Sequence, residues 1–319
     1  MSKARVALIG CTPLGVALGS ALRRALPSVE IVGHDRDAAA AQRAQASGAI
    51  HKHSWNIPAA CEGASAIFIF GAEDELRLVL NAIRSDVAPG VLIAHVGGSL
   101  QAALEAARTL LPAEVSFFAS FLVRSPLAQA ESPLHHALWA IAPRAGANEA
   151  DVEQFLALVR ALEAVPVLID PQEGDGMRLA VEALPVVLSA ACMRALSADP
   201  AWRERQWVAG AEFADFTRML EDGAEGALAQ LLAAPQAAVH WLNQVMLACM
   251  ALRDALAEAD ASTARAWLQE ASARRAQWLA DWRQGRAELA VPAEAPRASL
   301  LSFFLGERLA ERLREKRQK

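Results

Sequence analysis

From Arg5 to Ile9 the chain reads as a buried strand, and Gly-Cys-Thr-Pro-Leu-Gly then turns into an Ala/Leu-rich stretch with helical spacing to about Leu26. A second β-branched run, Val29 to Val32, ends in Gly33-His34-Asp35-Arg36-Asp37 and leads into an alanine-rich helical stretch. Short apolar runs recur at Ala66 to Phe70, Val91 to Val96, Val115 to Phe121, Ala137 to Ala142 and Val165 to Ile169, separated by helical or loop sequence. Strands that are apolar throughout, alternating with helices, predict an α/β fold, a mostly parallel sheet covered on both faces.

The pattern changes after Asp170. Leu184-Pro185 lies inside a long helical stretch, and the Ala/Leu/Arg/Trp-rich sequence beyond it contains no strand-like run, which predicts an all-α second domain. Gly285 to Ala298 carries Pro292 and Pro296 among small residues and reads as a linker. Past it, Leu300, Leu301, Phe303, Phe304, Leu305, Leu309 and Leu313 line one side of an expected amphipathic helix with a basic end. The expected organisation is an α/β domain over 1–170, a helical domain over 171–285, and a linker with terminal helix over 286–319.

Composition narrows the partners. The 319 residues are 54% hydrophobic and 21% charged, far from the composition of disordered chains. A net charge of −5 argues against nucleic-acid binding through a general basic field. Trp267, Ala271, Arg274 and Trp278 recur at three- and four-residue steps, so the Trp/Arg interleaving there is one face of a packed helix, and a homodimer through the helical domain is expected. Four dispersed cysteines, Cys11, Cys61, Cys192 and Cys249, form no CxxC pair and have no histidine at ligand spacing, so neither a disulfide framework nor a metal site is expected. The apolar stretch before Cys11 is too short for a secretion leader, and no window reads as a membrane span; a cytoplasmic protein without membrane contact is expected.

The chemistry starts at Gly10-Cys11-Thr12-Pro13-Leu14-Gly15, which occupies the place of G-x-G-x-x-G between a first strand and a helix. Gly10 takes the tight-turn role and Gly15 the helix-packing role. Thr12 replaces the glycine that lets the backbone approach a pyrophosphate, and its hydroxyl can donate to a phosphate oxygen. Pro13 suits the first helical turn, where its missing N–H costs nothing. Asp35 closes the second strand, where a carboxylate holds a ribose 2′-hydroxyl and repels a 2′-phosphate. NAD is therefore the expected cofactor, with NADP the alternative that neighbouring Arg36 admits. Leu14 and Gly71, the latter at the end of Ala66 to Phe70, complete the expected cofactor contacts. A Rossmann-like fold that binds no nucleotide, with its glycines serving packing alone, is the competing reading.

Together with the helical half, these residues resemble the prephenate/arogenate dehydrogenase family. The points of likeness are Val6 to Ala21, Gly33-His34-Asp35-Arg36, Gly97-Gly98-Ser99, Ala137 to Pro143, Leu184-Pro185, Phe213-Ala214-Asp215-Phe216-Thr217-Arg218, and His240-Trp241-Leu242-Asn243. The resemblance implies a Rossmann domain joined to a helical dimerisation domain and, as activity, NAD(P)-dependent oxidative decarboxylation of prephenate or arogenate in tyrosine biosynthesis. It implies that Thr217 and Arg218 bind a small carboxylate substrate, since a guanidinium can grip a carboxylate bidentately. The local alternative for Arg218 is pairing with Asp215 or Glu221 on its own helix.

The family's base histidine has no counterpart: its Gly-His-Pro becomes Ala119-Ser120-Phe121-Leu122. The His-Asp pair becomes Gly174-Asp175, Leu-Pro-His becomes Leu184-Pro185-Val186, and the lysine after Gly-Ser becomes Gln101. Losses on the side where substrate would lie suit a changed substrate or a silenced site. His95, ending Val91 to Val96, is the candidate replacement base, against the plainer reading of a satisfied core histidine. Ser99 is a candidate donor to substrate or a helix cap. His135 and His136 are expected at the surface. Beside the dehydrogenase stand two further readings: a catalytically silent ligand-binding or interaction protein, and a reductase of another small keto or imino acid.

Overall fold

The computed structural model describes residues 4–88, 90–124, 126 and 134–284. The expected linker and terminal helix lie outside the described residues. One compact unit extends up to Asp170, and another spans Pro171–Ala280.

The first unit is built on eight strands: β1 (Arg5–Ile9), β2 (Glu30–His34), β3 (Lys52–His53), β4 (Ala64–Phe70), β5 (Leu92–Val96), β6 (Ser116–Val123), β7 (Leu138–Pro143) and β8 (Val165–Leu168). Their order across the sheet is β3-β2-β1-β4-β5-β6-β7-β8. Every neighbouring pair is parallel except β6 and β7, where Val123 faces Leu138 and Phe118 faces Pro143. The connecting helices are α1 (Pro13–Ala25), α2 (Ala38–Ala46), α3 (Ile57–Cys61), α4 (Glu73–Ile83), α5 (Leu100–Leu110) and α6 (Glu149–Ala161).

Strand side chains alternate between two separate cores. Val6, Leu8, Phe68 and Phe70 pack on one face with Leu18 and Leu22 of α1 and Phe155 and Val159 of α6. Ala7, Ile9, Ile67 and Ile69 pack on the other with Leu76 and Leu80 of α4 and Ala103 and Ala107 of α5. This is why the strands read as continuous apolar runs: both faces are covered. Each fully buried Leu, Ile or Phe contributes roughly 1.5–3 kcal/mol, so the two cores fix the strand register and the carboxyl-end turns that follow it. Glu30 ties the rim at the other end, 3.0 Å from Arg5 Nε on β1 and 3.1 Å from Lys52 Nζ on β3.

The second unit is all helical: α7 (Pro171–Arg178), α8 (Leu184–Ser197), α9 (Trp202–Arg205), α10 (Ala211–Thr217), α11 (Met219–Asp222), α12 (Ala224–Ala233), α13 (Pro235–Ala257) and, as far as Ala280, α14 (Ala261–Gln284). A π-helical turn, Leu179–Ala183, joins α7 to α8, with the Leu184 amide bonding to the Leu179 carbonyl. The widened turn lets Pro185 continue the helix, because its ring escapes the carbonyl that an α-helical register would press against it. Pro171–Ser197 is thereby one helical stretch, and by length and composition alone it is apolar enough to cross a membrane, an 18-residue window within it reaching a mean hydropathy of 1.7. That corrects the sequence expectation that no window approaches a span; the charged residues at both ends and the internal proline disguise it. Within its unit the stretch packs through Leu179 and Ala183 against Ala227 of α12 and Ala238 of α13.

Candidate functional site

The site forms where β1, β2 and β4 end side by side. Gly10 follows β1 with φ +95°, and a Cβ there would stand 2.6 Å from the Phe70 carbonyl oxygen, so the turn admits only glycine. Its amide donates to the His34 carbonyl at 2.8 Å, tying the turn to the end of β2. Gly15 allows α1 to start against this turn, since a Cβ would lie 2.3 Å from the Gly10 carbonyl oxygen. Thr12, in extended conformation (φ −62°, ψ 165°), is the N-cap of α1, and its hydroxyl accepts from the Gly15 amide at 3.2 Å. Threonine adopts that conformation without strain, which accounts for a side chain where the motif has its middle glycine. Among the described residues no acceptor meets the amides of Thr12 and Leu14, which remain open at the positive end of α1.

Asp35 is held in place by two backbone donors. Cys11 N donates to its Oδ2 at 2.6 Å, and Asp37 N donates to its Oδ1 at 2.8 Å. Burial and the adjacent Asp35 carboxylate push the Cys11 thiol up to about 11, so this cysteine is protonated and inert near neutrality. The ends of β1, β2 and β4 enclose a cleft of about 290 Å³, walled by Ile9, Ile57, Phe70, Leu78 and Val79 and edged by Thr12, Asp35, Arg36, Asp74 and Glu75. Glu75 was not singled out from the sequence. The acidic run Glu73-Asp74-Glu75 opening a helix directly behind Gly71 was the available signal.

Gly71 has φ +135°, and a Cβ there would collide with Glu75 Oε2 at 1.9 Å. Its carbonyl oxygen lies 3.1 Å from His95 Nε2, which carries the ring proton in this contact because a carbonyl can only accept. His95 is 1% exposed, and its own carbonyl accepts from the buried Ser120 hydroxyl at 2.8 Å. Gly97 and Gly98 both have positive φ (133° and 58°) and lead to Ser99, whose hydroxyl caps α5 by accepting from Ala102 N at 3.1 Å. The turn after β5 thus has the geometry of a helix cap, with His95 packed beneath it.

In the helical unit, Thr217 Oγ1 donates back to the Phe213 carbonyl at 2.8 Å. Arg218 pairs with Asp215 at 3.2 Å with both side chains exposed, the same-helix alternative anticipated for it. His135 and His136 are exposed, their rings 4.0 Å apart, with His135 Nδ1 3.1 Å from Glu163.

The sequence matches no protein-family model and no curated protein. Solved structures do match. Arogenate dehydrogenase from Synechocystis aligns with a TM-score of 0.69 at 17% identity, over 86% of this chain and 99% of that one. Prephenate dehydrogenase from Aquifex aeolicus, in complex with hydroxyphenyl propionate and NAD+, aligns with a TM-score of 0.71 at 14% identity, over 87% of this chain and 99% of that one. With its Rossmann sheet followed by a bundle of helices, the chain has the fold of the prephenate and arogenate dehydrogenases.

Proposed function

We propose that the chain is a nicotinamide-dependent dehydrogenase of the prephenate and arogenate type, acting on a small carboxylate substrate with NAD preferred to NADP. The observation that carries the reading is the set of groups at the end of β1: the open Thr12 and Leu14 amides on the α1 terminus, Gly10 in a conformation only glycine takes, and the Asp35 carboxylate fixed 2.6 Å from Cys11 N. These residues fit a dinucleotide. The amides suit a diphosphate, Asp35 suits a ribose diol, and Phe70, Leu78 and Val79 offer an apolar wall for an adenine ring. Bound there, the nicotinamide supplies the hydride acceptor. The role proposed for Arg218 is to hold the substrate carboxylate, for which its exposed guanidinium exchanges Asp215.

The helical unit supports a homodimer as its assembly. Its buried core is small, while Val239, Met246 and Met250 recur along α13 at seven- and four-residue steps and are 57%, 55% and 44% exposed.

A second reading, a nucleotide-binding protein without turnover, is favoured by the state of the candidate catalytic and substrate-binding groups. His95 is buried against the Gly71 carbonyl, and the Ser99 and Thr217 hydroxyls are engaged within their own helices. One experiment separates the two. Calorimetric titration with NAD+ and NADP+ is followed by the absorbance of reduced nicotinamide with prephenate or arogenate present. Binding with reduction supports the dehydrogenase; binding without reduction supports the silent protein; absence of binding overturns both.

A further inference from the structure

The nucleotide cleft contains an ion pair that runs across the line a dinucleotide would follow. Glu75 Oε1 lies 3.8 Å from Arg36 Nη1, while its Oε2 sits over the Cα of Gly71. Arg36 follows β2 and Gly71 follows β4, and β1 lies between those strands, so the pair bridges the carboxyl end of β1 above the Gly10 turn. Among the described residues lining the cleft, Arg36 is the sole permanent cation, set against the carboxylates of Asp35, Asp74 and Glu75. A guanidinium next to the ribose-binding carboxylate is the group that would accept a 2′-phosphate. Here it is turned toward Glu75.

We infer that Glu75 is a specificity-determining residue that, by engaging Arg36, withholds the cleft's guanidinium from a 2′-phosphate and so enforces NAD over NADP. The inference rests on the dinucleotide-binding reading above. Glu75 acts by orienting Arg36 away from the 2′ position, through the 3.8 Å contact between the two side chains. Both side chains are substantially exposed, 75% for Arg36 and 41% for Glu75, so the pair is adjustable and its effect is a bias of moderate size.

The test is a double-mutant cycle on the full chain, with dissociation constants for NAD+ and NADP+ measured by calorimetry in the wild type, Glu75→Gln, Arg36→Ala and the double variant. The expected result is that Glu75→Gln lowers the ratio of the NADP+ to the NAD+ constant by about fivefold, the scale of an exposed ion pair, and that Arg36→Ala in the same chain removes the gain. A ratio unchanged in Glu75→Gln, with NAD+ still bound, overturns the inference and leaves the dinucleotide reading intact. A gain that persists without Arg36 also overturns it, since Glu75 would then act by charge alone. Failure of the wild type to bind either dinucleotide overturns both. Thermal unfolding of each variant separates lost binding from lost folding.

Discussion

Asp35 Oδ2 accepts from the amide of Cys11 at 2.6 Å, so the residue that closes β2 is hydrogen-bonded to the turn that closes β1. The carboxylate therefore has a structural task as well as the ribose-binding task proposed for it. Asp35→Ala leaves the Cys11 and Asp37 amides without their acceptor, at an expected cost of about 1–3 kcal/mol in urea unfolding. Asp35→Asn keeps one carbonyl acceptor and is expected to recover part of that stability while still weakening NAD+ binding. Equal stability in all three chains would show that the two hydrogen bonds hold nothing.

The glycines separate by environment. Gly10→Ala places a methyl 2.6 Å from the Phe70 carbonyl oxygen at φ +95°, and a loss of about 2–4 kcal/mol is expected from backbone strain and overpacking. At Gly176, inside α7, the methyl that alanine adds would meet nothing within 4 Å, so Gly176→Ala is expected to stabilise by about 0.5–1 kcal/mol through helix propensity. Thermal or denaturant unfolding of the two variants should move in opposite directions.

Acid stability has an identifiable contributor in Glu30. Burial alone would raise its carboxyl pKa, but hydrogen bonds and charges from Lys52 and Arg5 outweigh it, and the net shift is downward. A folded-state pKa below the unfolded one means that the stabilisation is present above the ordinary glutamate range and is lost as pH falls through the lowered value. Glu30→Gln should flatten that part of the stability profile on the acid side. An unchanged profile would show that the Arg5–Glu30–Lys52 link carries no pH dependence.

Thiol reactivity offers a check on burial. Burial pushes the Cys61 thiol up to about 12, and burial with the Asp35 charge pushes Cys11 up to about 11, whereas Cys249 is exposed on α13. Brief alkylation at mildly alkaline pH, mapped by mass spectrometry, should label Cys249 well ahead of Cys11 and Cys61. Rapid labelling of Cys11 would place it outside the packed turn between β1 and α1.

The strands were legible because a sheet covered on both faces demands continuous apolar runs, and β1, β4, β5 and β6 each supply one. The turn at Gly10 was legible because a left-handed residue packed against a carbonyl narrows the choice to glycine. Other features leave weaker traces. β3 is two residues long, Lys52 and His53, and both are exposed, so no hydrophobic pattern marks it. The direction of β7 is invisible because a buried strand has the same composition whichever way it runs. The π turn before Pro185 follows from one missing amide in an otherwise ordinary helical sequence. Around the cleft, Asp35 announced itself by ending a strand, while Glu75 belongs to a common acidic first turn and acquires meaning only from its position over Gly71. The same holds for His95, whose strand-end place suits a base as well as a core residue until the Gly71 carbonyl appears beside its ring.

The reversal at β7 changes which parts of the sequence meet at one edge of the sheet. In the parallel strands, the residues that follow a strand, such as Gly10, Asp35, Gly71 and Gly97, gather at the carboxyl rim. Because Leu138 opens β7 opposite Val123, the last residue of β6, residues that precede β7 arrive at that same rim, His135 and His136 among them. With β8 parallel to β7, Glu163 comes there too, its carbonyl accepting from His136 N at 2.8 Å. The rim is thus written in two grammars, strand-then-loop on one side and loop-then-strand on the other, and two stretches far apart in the chain can be altered independently to reshape the same edge.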